Sequence, residues 1–365
     1  MPCVIGALPS PARVRTYVLY SASLILVLAA ALGAWKAWPR FKGGGGGVQQ
    51  RAFYYWKTQW SGSPMLARSL AENRISRLYV RFFDIDWDEP AGAALPVAPL
   101  QLSAALPAGV EIVPVVFIAN RVFLNTPYAD VDALADHAWL KIRKMAEANA
   151  IPLREVQLDC DWSDGTRSRY FRFVSRLAQE LHNRRIRVSA TIRLHQIKYA
   201  ARTGVPPVDR GMLMFYNFGA LRADAPRSSI FNVQDAERYA SHIATYVLPL
   251  DLALPLFSWT VHSRDGGVLG LIEKLDSQDI EGTGGFRAVA PGRYKSTRAL
   301  FFRGRYFMED DELRLEETTP AVTEQAAVTA ARGAAGKKSY ATIAFFDLDE
   351  RNLRHYAASD FQRSE

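Results

Sequence analysis

Cysteine is almost absent from this chain of 365 residues: only Cys3 and Cys160 occur. Neither has the spacing of a metal site, and lying far apart, on either side of a long apolar run, they give no expectation of a disulfide. Cys160 reads as a buried core thiol rather than a nucleophile. Histidine is also scarce, with six scattered residues. A phosphate cradle is missing too, because Gly282-Thr283-Gly284-Gly285 follows no strand and opens no helix. No Gly-x-Ser-x-Gly elbow occurs. No metal and no organic cofactor is therefore implied. Long runs of one charge are lacking as well: the net charge of +8 is spread out, and Arg184-Arg185-Ile186-Arg187 lies among acids as a solvated face. Nucleic acid is not expected as a partner. With 49% apolar and 22% charged residues, a disordered chain is excluded, and the length suffices for one large domain or two ordinary ones.

One long uncharged run is present, from Tyr17 to Trp35. It is long enough to cross a hydrocarbon core of ~30 Å as a helix. Arg13 and Arg15 precede it, Lys36, Arg40 and Lys42 follow, and Tyr17, Tyr20, Trp35 and Trp38 sit where interfacial anchors would. A cleaved signal peptide is the competing reading, with Ala31-Leu32-Gly33 as its site, but the run is long for one. The expected organisation is a short cytoplasmic segment (1–16), a transmembrane signal anchor in the inner membrane (17–38), a glycine-rich linker (39–50) and one domain (51–365) facing the periplasm or cell exterior.

In that domain eight short apolar runs alternate with helical patterns. The runs are Phe53 to Trp56, Leu78 to Phe83, Ile112 to Ile118, Val156 to Asp159, Val188 to Arg193, Met212 to Tyr216, Leu250 to Phe257 and Ala341 to Phe346. Most are nearly continuous in Val, Ile, Leu and Phe, as parallel strands buried on both faces require. Amphipathic helices are predicted over 129–148, 170–182 and 232–246, the last capped by Asp235. Another opens at Thr319-Pro320 and closes at Gly333. The alternation predicts an α/β fold, a (β/α)8 TIM barrel. The stretch from about 261 to 318 is too long for a crossover. It is expected to be a β-rich insertion after strand seven, with Phe286 to Val289 pairing Tyr294 to Phe302 and Tyr306 to Met308 pairing Leu313 to Leu315.

Barrel sites form at the C-terminal strand ends. The fourth run ends in Asp159-Cys160-Asp161-Trp162-Ser163, where Asp159, Asp161 and Ser163 share a face. Two acids closing an apolar strand resist burial, and such pairs concentrate at chemical sites. The other ends supply Trp56, Asp84, Asp86, Trp87, Arg193, His195, Gln196, Tyr216, Asn217, Trp259 and Asp347. Aromatics stack on sugar faces while acids and amides hold hydroxyls, so this rim suits a glycan. His195 joining two of the acids would instead make a metal-dependent hydrolase.

Asp159-Cys160-Asp161-Trp162 followed by Ser163 resembles the Asp-x-Asp-x-Glu strand-four motif of glycoside hydrolase family 18 chitinases, and Met214-Phe215-Tyr216-Asn217 resembles that family's Met-x-Tyr-Asp. The soluble part also resembles an uncharacterised bacterial family of membrane-anchored TIM barrels. The chitinase resemblance implies a barrel with an insertion after strand seven and a substrate acetamido group acting as nucleophile, oriented by Asp161 and bonded by Tyr216. The chain departs from the motif at Ser163, where the family places its proton-donating Glu, and a serine hydroxyl is far too weak an acid for that role. Asn217 likewise replaces an Asp.

The expected function is carboxylate-mediated hydrolysis of a glycosidic bond in an envelope or extracellular polysaccharide. Asp161 and Asp159 stand at its centre, and Asp84 or Asp86 is the acid/base partner. The remaining rim residues, Trp162 included, would hold substrate. The alternative is a catalytically inactive glycan-binding or envelope-assembly barrel.

Overall fold

A computed structural model describes residues 50–219, 221–334 and 340–361. The expected anchor and linker lie outside these residues, apart from Gln50, which begins the first strand. Among the described residues no helix is long and apolar enough to cross a membrane.

All eight apolar runs are strands: β1 (Gln50–Tyr55), β2 (Arg77–Asp88), β3 (Glu111–Ile118), β4 (Glu155–Asp159), β5 (Arg187–Arg193), β6 (Arg210–Met214), β7 (Leu250–Pro255) and β8 (Thr342–Phe346). Each pairs in parallel with the next, and β1 closes the ring by pairing with both β8 and β2 (Phe53 opposite Phe345 and Leu78). Such strands are walled on both sides, which explains runs such as the fully buried Ala52, Phe53 and Tyr54. The barrel interior is not purely apolar. Tyr54 stacks on Tyr79 with ring centroids 4.8 Å apart and donates a hydrogen bond to Gln157 Oε1. Polar side chains therefore begin one layer below the acids that end β4.

The outer helices follow the predicted periodicity. Val131–Ala148 buries Val131, Ala135, Ala138, Trp139, Ile142 and Ala146, and Arg167–His182 buries Phe173, Val174, Leu177 and Leu181. Two helix ends differ from expectation. Asn232, not Asp235, caps Val233–Ala240: its side chain accepts the Asp235 backbone N–H at 2.9 Å. Gly333 does not end its helix, which runs Pro320–Ala334; a Cβ there would collide with the Ala240 carbonyl, so the glycine permits close helix packing.

The insertion begins directly after β7. Five antiparallel strands lie in the order Gly267–Glu273, Trp259–Arg264, Glu312–Glu316, Arg293–Ser296 and Phe286–Ala290. The hairpin at 286–296 is as expected. Tyr306, however, pairs with Phe301 in a separate small hairpin, and Leu313 pairs with His262 and Tyr294. A short apolar strand finds its partner through the shared core, here Ile272, Leu275, Ile280, Phe286, Tyr294, Phe307 and Leu313, which sequence spacing does not encode. Buried Asp311 pins that core: His262 Nε2 lies 2.9 Å from it and Arg264 bonds both its oxygens.

A further difference concerns β2. It runs on to Asp88 and folds back antiparallel against Ala93–Val97. Its pairing with β3 stops at Ile85, so Asp86, Trp87 and Asp88 lie on a ribbon beyond the barrel rim.

Candidate functional site

The C-terminal strand ends surround a cavity of about 220 Å³. Trp56, Tyr216, Phe257, Trp259 and Phe346 supply its aromatic walls, and Asp159, Asp347, Glu273, Arg193 and Lys274 its charges. Of the residues expected at the site, Asp159, Arg193, Tyr216, Asn217, Trp56, Trp259 and Asp347 come together here.

Alternation along β4 places Asp159 and Asp161 on one side, and a single guanidinium holds both. Arg193 Nη2 lies 3.2 Å from Asp159 Oδ1, and Arg193 Nε bonds Asp161 Oδ1. Thr191, two residues earlier on β5, donates to Asp159 Oδ1 at 2.6 Å. Asp159 is 3% exposed, and burial raises its carboxyl above the usual range despite the opposing pull of Arg193. The Asp161 side chain stays largely in solvent. Cys160, pointing the other way, is fully buried, and burial pushes its thiol well up, as fits a core residue.

Tyr216 donates to Met214 Sδ at 3.3 Å, and burial holds its phenol protonated. Asn217 takes a φ of +60°, a left-handed conformation that asparagine tolerates, and its backbone N–H donates to Ile230 O. Gln196 serves the backbone: its Oε1 accepts the Arg193 N–H at 2.7 Å, fixing the strand end that carries the guanidinium. His195 opens outward on the short helix Leu194–Lys198 and does not line the cavity. Partial desolvation lowers its pKa. Among the described residues no group of three His, Cys, Asp or Glu side chains converges as metal ligands.

Four further expected site residues lie elsewhere. Asp84 is clasped by Arg81 through both oxygens and does not line the cavity. Asp86 sits on the ribbon, bonded twice by Arg121 at 2.6 Å, which lowers its pKa. Trp87, half-buried, shares that ribbon. Trp162 is no sugar platform. It is 1% exposed, stacks on Tyr170 at 5.1 Å and donates its indole N–H to Thr203 O, because the chain turns inward after Asp161 to pack the next helix.

The end of β8 separates two acids. Asp347 is buried, which raises its pKa, although Lys274 lies 3.6 Å away and Asn352 donates to it at 2.6 Å. The Phe346–Asp347 peptide is cis. Burial would raise Asp349 too, but Lys57 at 2.8 Å, the Arg351 backbone N–H and Lys274 hold it at about 2, against an ordinary 3.8. A depressed carboxylate stabilises the fold above its unfolded pKa, and that stability is lost as pH falls from 3.8 towards about 2. Lys57→Ala should therefore destabilise the protein near neutral pH by roughly 1 kcal/mol, a figure discounted for the partial exposure of Lys57. The gap should close as acid protonates Asp349. Denaturant titrations at several pH values check this, and a constant gap would contradict it.

Glu273 and Lys274 were not foreseen as site residues. Glu273 ends and Lys274 follows the strand Gly267–Glu273, most of whose residues are exposed or half-buried, so in sequence they read as the solvent face of a hairpin. Only the pairing of Trp259 with both Glu273 and Glu316 turns that end over the barrel mouth. Glu316 fastens it there. Its Oε2 accepts from Trp259 Nε1 at 3.0 Å, Ser229 N at 2.7 Å and Ser229 Oγ at 2.6 Å, while Arg314 bonds its other oxygen.

Neither a comparison with known family models nor one with curated proteins finds a match. Solved structures do match. A chitinase from Chromobacterium violaceum superposes with a TM-score of 0.52 at 13% identity, over 87% of this chain and 99% of that one. The Bacillus cereus spore cortex-lytic enzyme SleL gives 0.51 at 12% identity, over 87% and 73%. A chitinase-like agglutinin from Robinia pseudoacacia gives 0.50 at 12% identity, over 86% and 98%. At such identities the likeness establishes the fold alone: the chain shares its barrel with these chitinase and chitinase-like structures.

Proposed function

We propose that the barrel binds a glycan across this cavity and hydrolyses a glycosidic bond. The observation that carries the reading is the cavity's composition. The indoles of Trp56 and Trp259 and the ring of Phe346 stand around Asp159, Asp347 and Glu273 at the strand ends. Aromatic faces and carboxylates in one concave site are what a pyranose ring and its hydroxyls need. Asp159 and Asp347 both have raised pKa values, and perturbed acids in a cleft mark functional sites. The fold likeness to a chitinase and a cortex-lytic enzyme supports a carbohydrate partner by analogy. In this reading Asp161 and Tyr216 orient the substrate, Arg193 holds the acid pair and Asn217 binds a hydroxyl. The sequence of residues 17–38 supports placing the barrel outside the inner membrane, on envelope polysaccharide.

A second reading, a barrel that binds glycans without cutting them, is favoured by Ser163 in the proton donor's place and by the arginines on Asp84, Asp86 and Asp161.

Turnover of a panel comprising peptidoglycan strands, N-acetylglucosamine oligomers and storage glucans separates the two. The hydrolase reading expects new reducing ends, with Asp161→Asn slower by about 100-fold. Binding that depends on Asp161, with no product from any glycan, would establish the second reading.

A further inference from the structure

A hydrolase lacking an acid at Ser163 must draw its proton from another group that reaches the cavity. Asp84 and Asp86 lie outside the cavity, each tied to an arginine. Asp161 is tied to Arg193. Asp159 and Asp347 line the cavity but are 3% and 4% exposed and face Arg193 at 3.2 Å and Lys274 at 3.6 Å. Glu273 differs from all of these. It lines the cavity, its residue is exposed, and among the described residues no hydrogen bond or ion pair fixes its carboxylate. Lys274 and Asp347 act on it only as neighbouring charges. It lies directly opposite Trp259 in the antiparallel register, so the two side chains share one face of the inserted sheet. Trp259 is in turn fixed by Glu316. An acid beside a rigid indole platform, free to approach a sugar stacked there, has the placement a proton donor needs.

We propose that Glu273, supplied by the inserted sheet rather than by β4, is the proton donor of this site; the proposal rests on the hydrolase reading above. The Glu273 carboxyl gives its proton to the glycosidic oxygen as the bond from that oxygen to the anomeric carbon breaks. The electron pair stays on the oxygen, which leaves as an alcohol. Water then adds to the anomeric carbon and passes its proton to the Glu273 carboxylate, restoring the acid. One glycosidic bond and one water are consumed and two hydroxyl ends are made, with no change of oxidation state.

The test uses the full chain and Glu273→Gln, on the glycan of the panel that is turned over and on its 2,4-dinitrophenyl glycoside, whose leaving group departs without a proton. The expected result is a loss of about 100-fold or more on the unactivated glycan and retention to within about tenfold on the dinitrophenyl glycoside. An equal loss on both substrates would show a binding or structural role and overturn the proposal. Unchanged turnover would overturn it too, and the same pair of substrates tried with Asp159→Asn would then identify a β4 donor. Failure of the wild-type chain to turn over any glycan would defeat the hydrolase reading and this proposal together.

Discussion

Arg193→Met is expected to destabilise the barrel by about 3–5 kcal/mol near neutral pH, the usual effect of removing one partner from a buried pair. The cost falls on Asp159, which is almost wholly buried and keeps only the Thr191 hydroxyl once the guanidinium is gone. Asp161, mostly in solvent, should contribute little. The pH dependence identifies the cause. Asp159 is already raised in the wild type, so its contribution is fully present below its unfolded pKa and is lost as pH rises through the folded one. Without Arg193 the folded pKa climbs further. The penalty should therefore be small in acid and grow towards neutrality. Asp159→Asn in the same background should recover much of the loss. Urea unfolding of both variants across the acid range checks this, and a penalty independent of pH would refute it.

Glu316→Ala should be comparably costly, about 3–5 kcal/mol, because it leaves the buried Arg314 without its carboxylate. Arg314 keeps only its bond to the Arg222 carbonyl, at 2.8 Å. The damage should be local. Ser228, Ser229 and Ile230 in the loop after β6, and the Trp259 indole, all bond the same carboxylate oxygen. Amide hydrogen exchange should accelerate at 228–230 and at 259–264 while β1 to β5 stay protected. Glycan affinity should fall because Trp259 loses its fixed orientation. Acceleration spread evenly over the barrel would show that Glu316 holds the whole fold rather than the mouth.

The barrel was legible in sequence because its strands are walled on both sides and announce themselves as apolar runs. The acids ending β4 were legible for the opposite reason: Asp159 and Asp161 interrupt such a run. Identifying which acids meet across the mouth required contacts distant in sequence. Asp86 was expected as an acid/base partner of Asp161, but the backbone continues past the rim as a ribbon and removes it. Trp162 looked like a platform, but the helix it covers needed its ring. Glu273 carried no signal, since an exposed acid on a hairpin is the commonest kind of residue; its place is set by three paired strands.

The insertion has its own hydrophobic core, yet it contributes Trp259, Glu273 and Lys274 to the cavity. The inserted sheet thus folds around apolar residues of its own while it closes one side of the cavity. Exchange of one contiguous segment, 259–316, would replace three of the fourteen residues that line the cavity while leaving every parallel pairing of the barrel as it stands. One side of the cavity is thus carried on a segment that can be exchanged as a cassette.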